Sequence, residues 1–81
     1  MNVEKKVKDI LRELGGGETV ETTSLLQGDL ALDSLKMVTM LVEIEDAFGI
    51  ELDEADMNPF DLSTVQSVID MVIKYVGDRN E

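Results

Sequence analysis

A serine between an acid and a leucine has the clearest chemical potential in this sequence. Ser34 lies in GDLALDSLKM, residues 28–37, just after Asp33 and ahead of a long apolar run. The chain contains no histidine and no cysteine, so neither a Ser-His-Asp triad nor a thiolate nucleophile can form. The chain is therefore not expected to be an enzyme, and its serine is more simply read as a target of another enzyme.

The local pattern predicts that Ser34 opens a helix. Asp33 is suited to cap the helix start, and Gly49 follows Phe48, where the apolar pattern ends. The first turn of a helix presents free N–H groups and a positive dipole end, which favour a phosphate. Asp33 adds a carboxylate for a modifying enzyme or its metal. These features permit a phosphodiester-linked group on Ser34 without identifying one.

Two other motifs do not support a site. The glycine triplet at residues 15–17 ends a helical pattern and is not followed by GK[ST], so it is read as a terminator and not a phosphate loop. Asp53, Glu54 and Asp56 lack the spacing of a calcium-binding EF-hand loop. We therefore predict no metal site.

The net charge of −11 is concentrated in the middle of the chain. Residues 29–61 carry ten acids and only Lys36 as a base, so nine of the eleven excess negative charges lie there. Such a field repels nucleic acid and anionic membranes and attracts basic protein surfaces; the alternative is a solubilising face. The N-terminus is too polar for a signal peptide, and no apolar run approaches the roughly 18 residues of a membrane span. A cytoplasmic location is expected.

Apolar periodicity predicts an all-α fold, a small four-helix bundle in one domain covering residues 1–81. We expect about 3–76 to be structured and 77–81 to fray. The first helix has its apolar face at Val3, Val7, Ile10, Leu11 and Leu14. A long first loop, 18–33, separates it from the second helix, which runs from Ser34 to Phe48.

The last third of the chain suggests two further helices. Asn58 followed by Pro59 favours a short third helix over residues 58–62. Ser63 and Gln66 have the spacing of a capping box at the start of the final helix. The apolar face of that helix comprises Val65, Val68, Ile69, Val72, Ile73 and Val76.

The second helix has two apolar sides when its residues are placed at about 100° intervals. The broad side, expected to face the core, comprises Met37, Met40, Leu41, Ile44, Ala47 and Phe48. Leu35, Val38 and Val42 fall in a separate sector near acids, which we call the apolar strip. We expect it to be at least partly exposed for a protein partner. The alternative is that Leu25, Leu26, Leu30 or Leu32 of the loop covers it.

The stretch LALDSLKMVTMLVEIEDAFGIELDEAD, residues 30–56, resembles the central region of the acyl carrier protein family. That family's Asp-Ser-Leu signature corresponds to Asp33, Ser34 and Leu35. The acids and aromatic ring near the end of the family's second helix correspond to Glu45, Asp46 and Phe48. STVQSVID, residues 63–70, is similar to the start of the family's last helix, so the resemblance covers about residues 3–76.

The resemblance implies a free-standing carrier. A phosphopantetheinyl transferase would move 4'-phosphopantetheine from coenzyme A to Ser34, and the arm would hold acyl intermediates as thioesters for fatty acid or polyketide biosynthesis. The other partners would be acyl-loading, condensing and modifying enzymes with basic docking patches, and the chain would be a monomer. The partner-binding residues would be Asp33, Leu35, Val38, Val42, Glu45, Asp46, Glu54 and Asp56. Met37, Leu41, Ile44, Phe48 and Ile69 would line the acyl-chain pocket.

Two alternatives stay open. An aminoacyl or peptidyl carrier of nonribosomal peptide synthesis shares the fold and the prosthetic group, and an unmodified acidic helical interaction protein is a more distant possibility. Lys36 and Thr39 stand where fatty acid carriers often have acids, and the segment 57–60 is slightly longer than in common bacterial carriers. These departures leave a specialised pathway open.

Overall fold

Three α-helices and one short 3-10 helix make up the regular structure of the described residues. The computed structural model describes residues 3–15, 19–58 and 62–77 of the chain. The helices are α1, Val3–Leu14; α2, Ser34–Phe48; a 3-10 helix, Glu54–Met57; and α3, Val65–Val76. Over these ranges there is no strand, and one isolated bridge joins Leu25 to Thr64. The all-helical class is confirmed.

The core forms where α1 packs on both α2 and α3. Most of each predicted apolar face is buried; in α1 these residues are Val3, Val7, Ile10 and Leu11. The predicted faces are only partly buried at their ends, at Leu14, Ala47, Phe48, Ile73 and Val76, and Met71 of α3 is buried although it was not predicted. Every buried side chain in the described ranges is hydrophobic. Since helix burial of this kind is the main stabilising term available to a small chain without disulfides, these faces hold α2 in position.

The segment before α2 is pinned to the start of α3. Leu26 N–H donates to the Ser63 carbonyl (2.9 Å), and the N–H groups of Val65 and Gln66 donate to carbonyls at Ser24 and Thr22 (3.0 Å each). Leu26, Leu30 and Leu32 are buried in the core. Because these three leucines pack in the interior, they do not cover the apolar strip of α2.

The start of α3 differs from its prediction by one residue. Thr64, not Ser63, is the N-cap, and its hydroxyl accepts the Ser67 N–H (3.2 Å) while the Ser67 hydroxyl accepts the Thr64 N–H (3.1 Å). The predicted Ser63 and Gln66 box is wrong because the Ser63 carbonyl is held by the loop, which sets where the helix begins.

A 3-10 helix that the sequence pattern did not predict lies between α2 and α3. The 3-10 helix occupies Glu54–Met57, and Asn58 after it has an extended backbone. The predicted third helix at 58–62 falls mainly on residues 59–61, which lie outside the described residues, as do residues 78–81 of the predicted frayed end and Gly16 and Gly17. No helix in the described ranges is long and apolar enough to cross a membrane.

Candidate attachment and docking site

Ser34 is the first residue of α2, directly after its N-cap. Asp33 has an extended backbone, and its Oδ1 accepts the Lys36 N–H at 2.8 Å. The Asp33 carbonyl accepts the Met37 N–H at 2.9 Å, the first turn of the helix. The predicted cap and both predicted ends of α2 are confirmed, with Gly49 closing the helix in the left-handed conformation (φ 64°).

The surroundings of Ser34 suit a phosphate ester. The side chain is exposed, and within the described part of the chain its hydroxyl makes no hydrogen bond. Asp33 satisfies the third amide of the helix but not the amides of Ser34 and Leu35, which have no partner among the described residues. The first turn of α2 contains no acid of its own. A phosphate on Ser34 would therefore meet free N–H groups and the positive end of the helix dipole.

The apolar strip is exposed on the same helix. Leu35 is 74% exposed, Val38 43% and Val42 46%. An uncovered set of large apolar side chains beginning next to Ser34 is unusual for a small protein surface and is typical of a contact site for another protein. Its use for docking stays a prediction.

Glu45, predicted to contact partners, has an internal role that the sequence did not reveal. Its Oε2 accepts the Leu52 N–H at 2.8 Å, and its carbonyl accepts the N–H groups of Gly49 and Ile50. The residue therefore holds the connector between α2 and the 3-10 helix. The other acids predicted for docking, Asp33, Asp46 and Glu54, are exposed. Asp33 also caps α2 through its side chain.

Asp56 is also engaged within the chain. Its carboxylate accepts hydrogen bonds from the Tyr75 hydroxyl and the Lys74 ammonium group (3.0 Å for Lys74), and the same hydroxyl accepts the Asp53 N–H at 2.8 Å. The Tyr75 hydrogen bond and then Lys74 lower the pKa of Asp56, while the Asp56 carboxylate raises the pKa of both Lys74 and Tyr75. This cluster fastens the 3-10 helix to the end of α3.

The residues predicted for the acyl-chain pocket lie in the core. Met37, Leu41 and Ile44 are fully buried, Ile69 is nearly so, and Phe48 packs against them partly exposed. A groove of about 350 Å³ lies elsewhere, between the 3-10 helix and α3, with Asp56, Met71 and Lys74 in its walls. A second groove, of about 240 Å³, lies against Leu25 and Gly28. The acyl pocket stays a prediction.

The sequence of this chain is similar to those of known proteins over most of its length. The family model for the phosphopantetheine attachment site matches residues 5–72. An acyl carrier protein of Buchnera aphidicola subsp. Baizongia pistaciae is 36% identical over 77 residues, covering 93% of this chain and 96% of that protein. An acyl carrier protein of Thermotoga maritima is 34% identical over 74 residues, covering 89% of each chain.

A helical chain matched by that family model over most of its length is a phosphopantetheine-bearing carrier and not an enzyme. Within that class, the chain belongs to the acyl carrier protein family. Its cofactor is 4'-phosphopantetheine, held covalently, and its partners include a phosphopantetheinyl transferase and enzymes that handle acyl groups. The free hydroxyl and unpartnered amides at the start of α2 fit this group.

Proposed function

We propose that this chain carries acyl intermediates on a 4'-phosphopantetheine arm attached to Ser34, in fatty acid or polyketide biosynthesis. The observation that carries the proposal is an exposed, unengaged hydroxyl at the first residue of α2, inside the matched range and beside the exposed strip. We further propose that the active form is a monomeric four-helix carrier domain.

Comparison of the chain's serines favours Ser34. Of the four serines, Ser24 accepts the Glu21 N–H at 3.1 Å, and the Ser67 hydroxyl is occupied in the capping box of α3. Ser63 is exposed, as Ser34 is, but it precedes a helix cap that is already filled by Thr64. Ser34 alone combines an exposed side chain with a helix start that still has free amides.

The chain's own groups have limited but definite tasks in this function. When bound, the arm supplies a thiol that holds acyl groups as thioesters. Ser34 provides the oxygen of the phosphodiester, and the amides of the first turn favour its negative charge. Asp33 keeps that turn formed through its bond to the third amide. The apolar strip and the exposed acids supply the surface that loading, condensing and modifying enzymes with basic patches would contact.

The attachment site is tested by intact mass after incubation with coenzyme A and a promiscuous phosphopantetheinyl transferase. Wild type and Ser63→Ala should each gain one arm, and Ser34→Ala should gain none. Ser63→Ala is the matched control because it also removes an exposed serine hydroxyl. No gain on wild type would overturn the carrier function, and a gain that persists in Ser34→Ala would overturn the site.

Cargo is tested on the loaded protein. Acyl ligases and aminoacyl ligases are offered separately, with their carboxylic acid substrates and ATP, and the mass of the carrier is read again. Acylation without aminoacylation is the expected result. Aminoacylation alone would replace the proposed function with that of an aminoacyl carrier.

A further inference from the structure

Lys36 differs from every other base in the described ranges. Lys8 and Arg12 form ion pairs on α1, Lys6 donates to the end of α2, and Lys74 pairs with Asp56. Lys5 is paired with Asp9. Within the same ranges the exposed Lys36 has no hydrogen-bond or ion-pair partner for its ammonium group. It is also the single base among residues 29–61.

The position of Lys36 places this free charge at one end of the docking helix. At about 100° per residue, Lys36, Thr39, Glu43 and Asp46 share one flank of α2, beside the apolar strip. Along the helix axis, Lys36 is only about 3 Å from Ser34 but about 10 Å from Glu43 and about 15 Å from Asp46, at roughly 1.5 Å per residue. Along this flank the charge is therefore positive at Lys36 and negative at Glu43 and Asp46. The exposed carboxylate of Asp33, which accepts the Lys36 N–H, also lies at the serine end, about 60° around the helix from Lys36.

The two ends of this flank act as separate charges. Their spacing is comparable to or greater than the screening length of about 8 Å at physiological salt, so they do not neutralise each other. Thr39 between them uses its hydroxyl on the Leu35 carbonyl (3.0 Å) and adds no charge. A partner that binds along the apolar strip would then distinguish the two orientations of α2, in addition to responding to the net charge of the chain.

We propose that Lys36 is a specificity-determining residue that pairs with a carboxylate on the partner enzyme, next to the opening that receives Ser34. Basic side chains of the same partner face Glu43 and Asp46. A partner whose surface is basic along its whole length meets like charge at Lys36 and docks less well. The inference rests on the proposed function, because it describes how a partner enzyme would recognise the end of α2 that bears Ser34.

The chain's own phosphate is a weaker candidate for the partner of Lys36. Residues two apart on a helix point about 200° from one another and do not face each other. An assay on the unmodified chain removes this candidate altogether, because no phosphate is then present on Ser34.

The test is a double-mutant cycle on transfer of the arm to the unmodified carrier. The probes are one phosphopantetheinyl transferase with a basic carrier-binding face and a variant of it in which a basic residue at the serine end is replaced by glutamate. kcat/KM is measured with wild-type carrier, with Lys36→Glu, and with the control Lys5→Glu, which changes net charge equally on α1. Intact mass verifies each product.

We expect wild type to favour the glutamate-bearing transferase and Lys36→Glu to favour the parent, with a coupling of about tenfold or more. That coupling should shrink in high salt. Lys5→Glu should show none. A coupling near one for Lys36, or an equal coupling for Lys5, would overturn the inference.

A charge-swapped carrier provides a second measurement. Lys36→Glu combined with Asp46→Lys keeps the net charge but reverses the polarity of the flank. It should lose about tenfold in kcat/KM with the glutamate-bearing transferase, whereas an unchanged rate would show that only net charge matters and would overturn the inference. Failure of every carrier to gain mass would instead refute the attachment function, so the two failures are distinct.

Discussion

Asp33 is expected to stabilise the chain mainly as a hydrogen-bond acceptor, and two substitutions separate this role from its charge. Asp33→Ala removes the oxygen that accepts the Lys36 N–H at 2.8 Å. Asp33→Asn keeps an acceptor of the same shape and removes the negative charge. Since the cap starts the helix that bears Ser34, its loss reaches the site directly.

The magnitude follows from the cap geometry. Loss of a well-formed N-cap costs about 1 kcal/mol in the free energy of unfolding, whereas asparagine caps almost as well as aspartate. Loss of the charge at the helix start costs about 0.5 kcal/mol at an exposed position. For a chain of this size, about 1 kcal/mol corresponds to a decrease in Tm of roughly 4–8 °C. The expected order of stability is wild type, then Asn, then Ala.

Thermal and urea unfolding of the unmodified proteins, followed by circular dichroism, measure this order. Asp46→Ala is the control, because it removes an exposed acid of α2 that caps nothing, and its stability should stay within about 0.5 kcal/mol of wild type. The rate of arm transfer is measured on the same samples. If Asn destabilises as much as Ala, the helix dipole and not the cap bond dominates, and our reasoning about Asp33 is refuted.

Three further perturbations have defined outcomes. Ala31 has a left-handed backbone (φ 56°), so Ala31→Gly should be at least as stable in urea, while Ala31→Val should lose about 1 kcal/mol or more; an unaffected valine variant would contradict this. Hydrogen bonds from Tyr75 and Lys74 keep the pKa of Asp56 below its ordinary value of 3.8, so its contribution to stability is present above that pH and is lost as pH falls through the lower folded-state pKa. Asp56→Asn should therefore flatten the acid limb of the stability curve, and identical limbs would contradict the assignment. Lys6 donates a long hydrogen bond (3.5 Å) to the Ala47 carbonyl in the last turn of α2, a turn that has no base of its own. Lys6→Met should therefore lower the free energy of unfolding in urea by about 0.5 kcal/mol, and no change would show that this contact does not stabilise the chain.

The ends of α2 could be predicted because their signals are local. Asp33 supplies the cap and Gly49 supplies the left-handed turn, and both act within a few residues of the helix. The predicted N-cap of α3 is wrong by one residue because Ser63 and Thr64 are both suitable caps. The choice between them is made by a hydrogen bond from Leu26, far away in the sequence.

Long-range contacts also explain what was missed near the site. The 3-10 helix is fastened by Asp56 to Lys74 and Tyr75, which lie 18 and 19 residues further along the chain. The sequence indicated Asp56 as a docking acid and gave no sign of these two contacts. Glu45 is a similar case: its helical position suggested a surface charge, but the chain turns back after Gly49 and brings an amide to its carboxylate.

The exposed strip and the concentrated acidity are best understood together. Three large apolar side chains left in water on one helix would favour association between copies of the chain. Nine excess negative charges in residues 29–61 oppose such pairing, because two copies brought strip to strip also bring like charges together. The same charges attract a basic partner, so the strip stays available to that partner and does not pair with the strip of another copy. Since both effects are electrostatic, added salt should weaken docking and permit self-association together, whereas a strip kept apart by shape alone would show no such dependence.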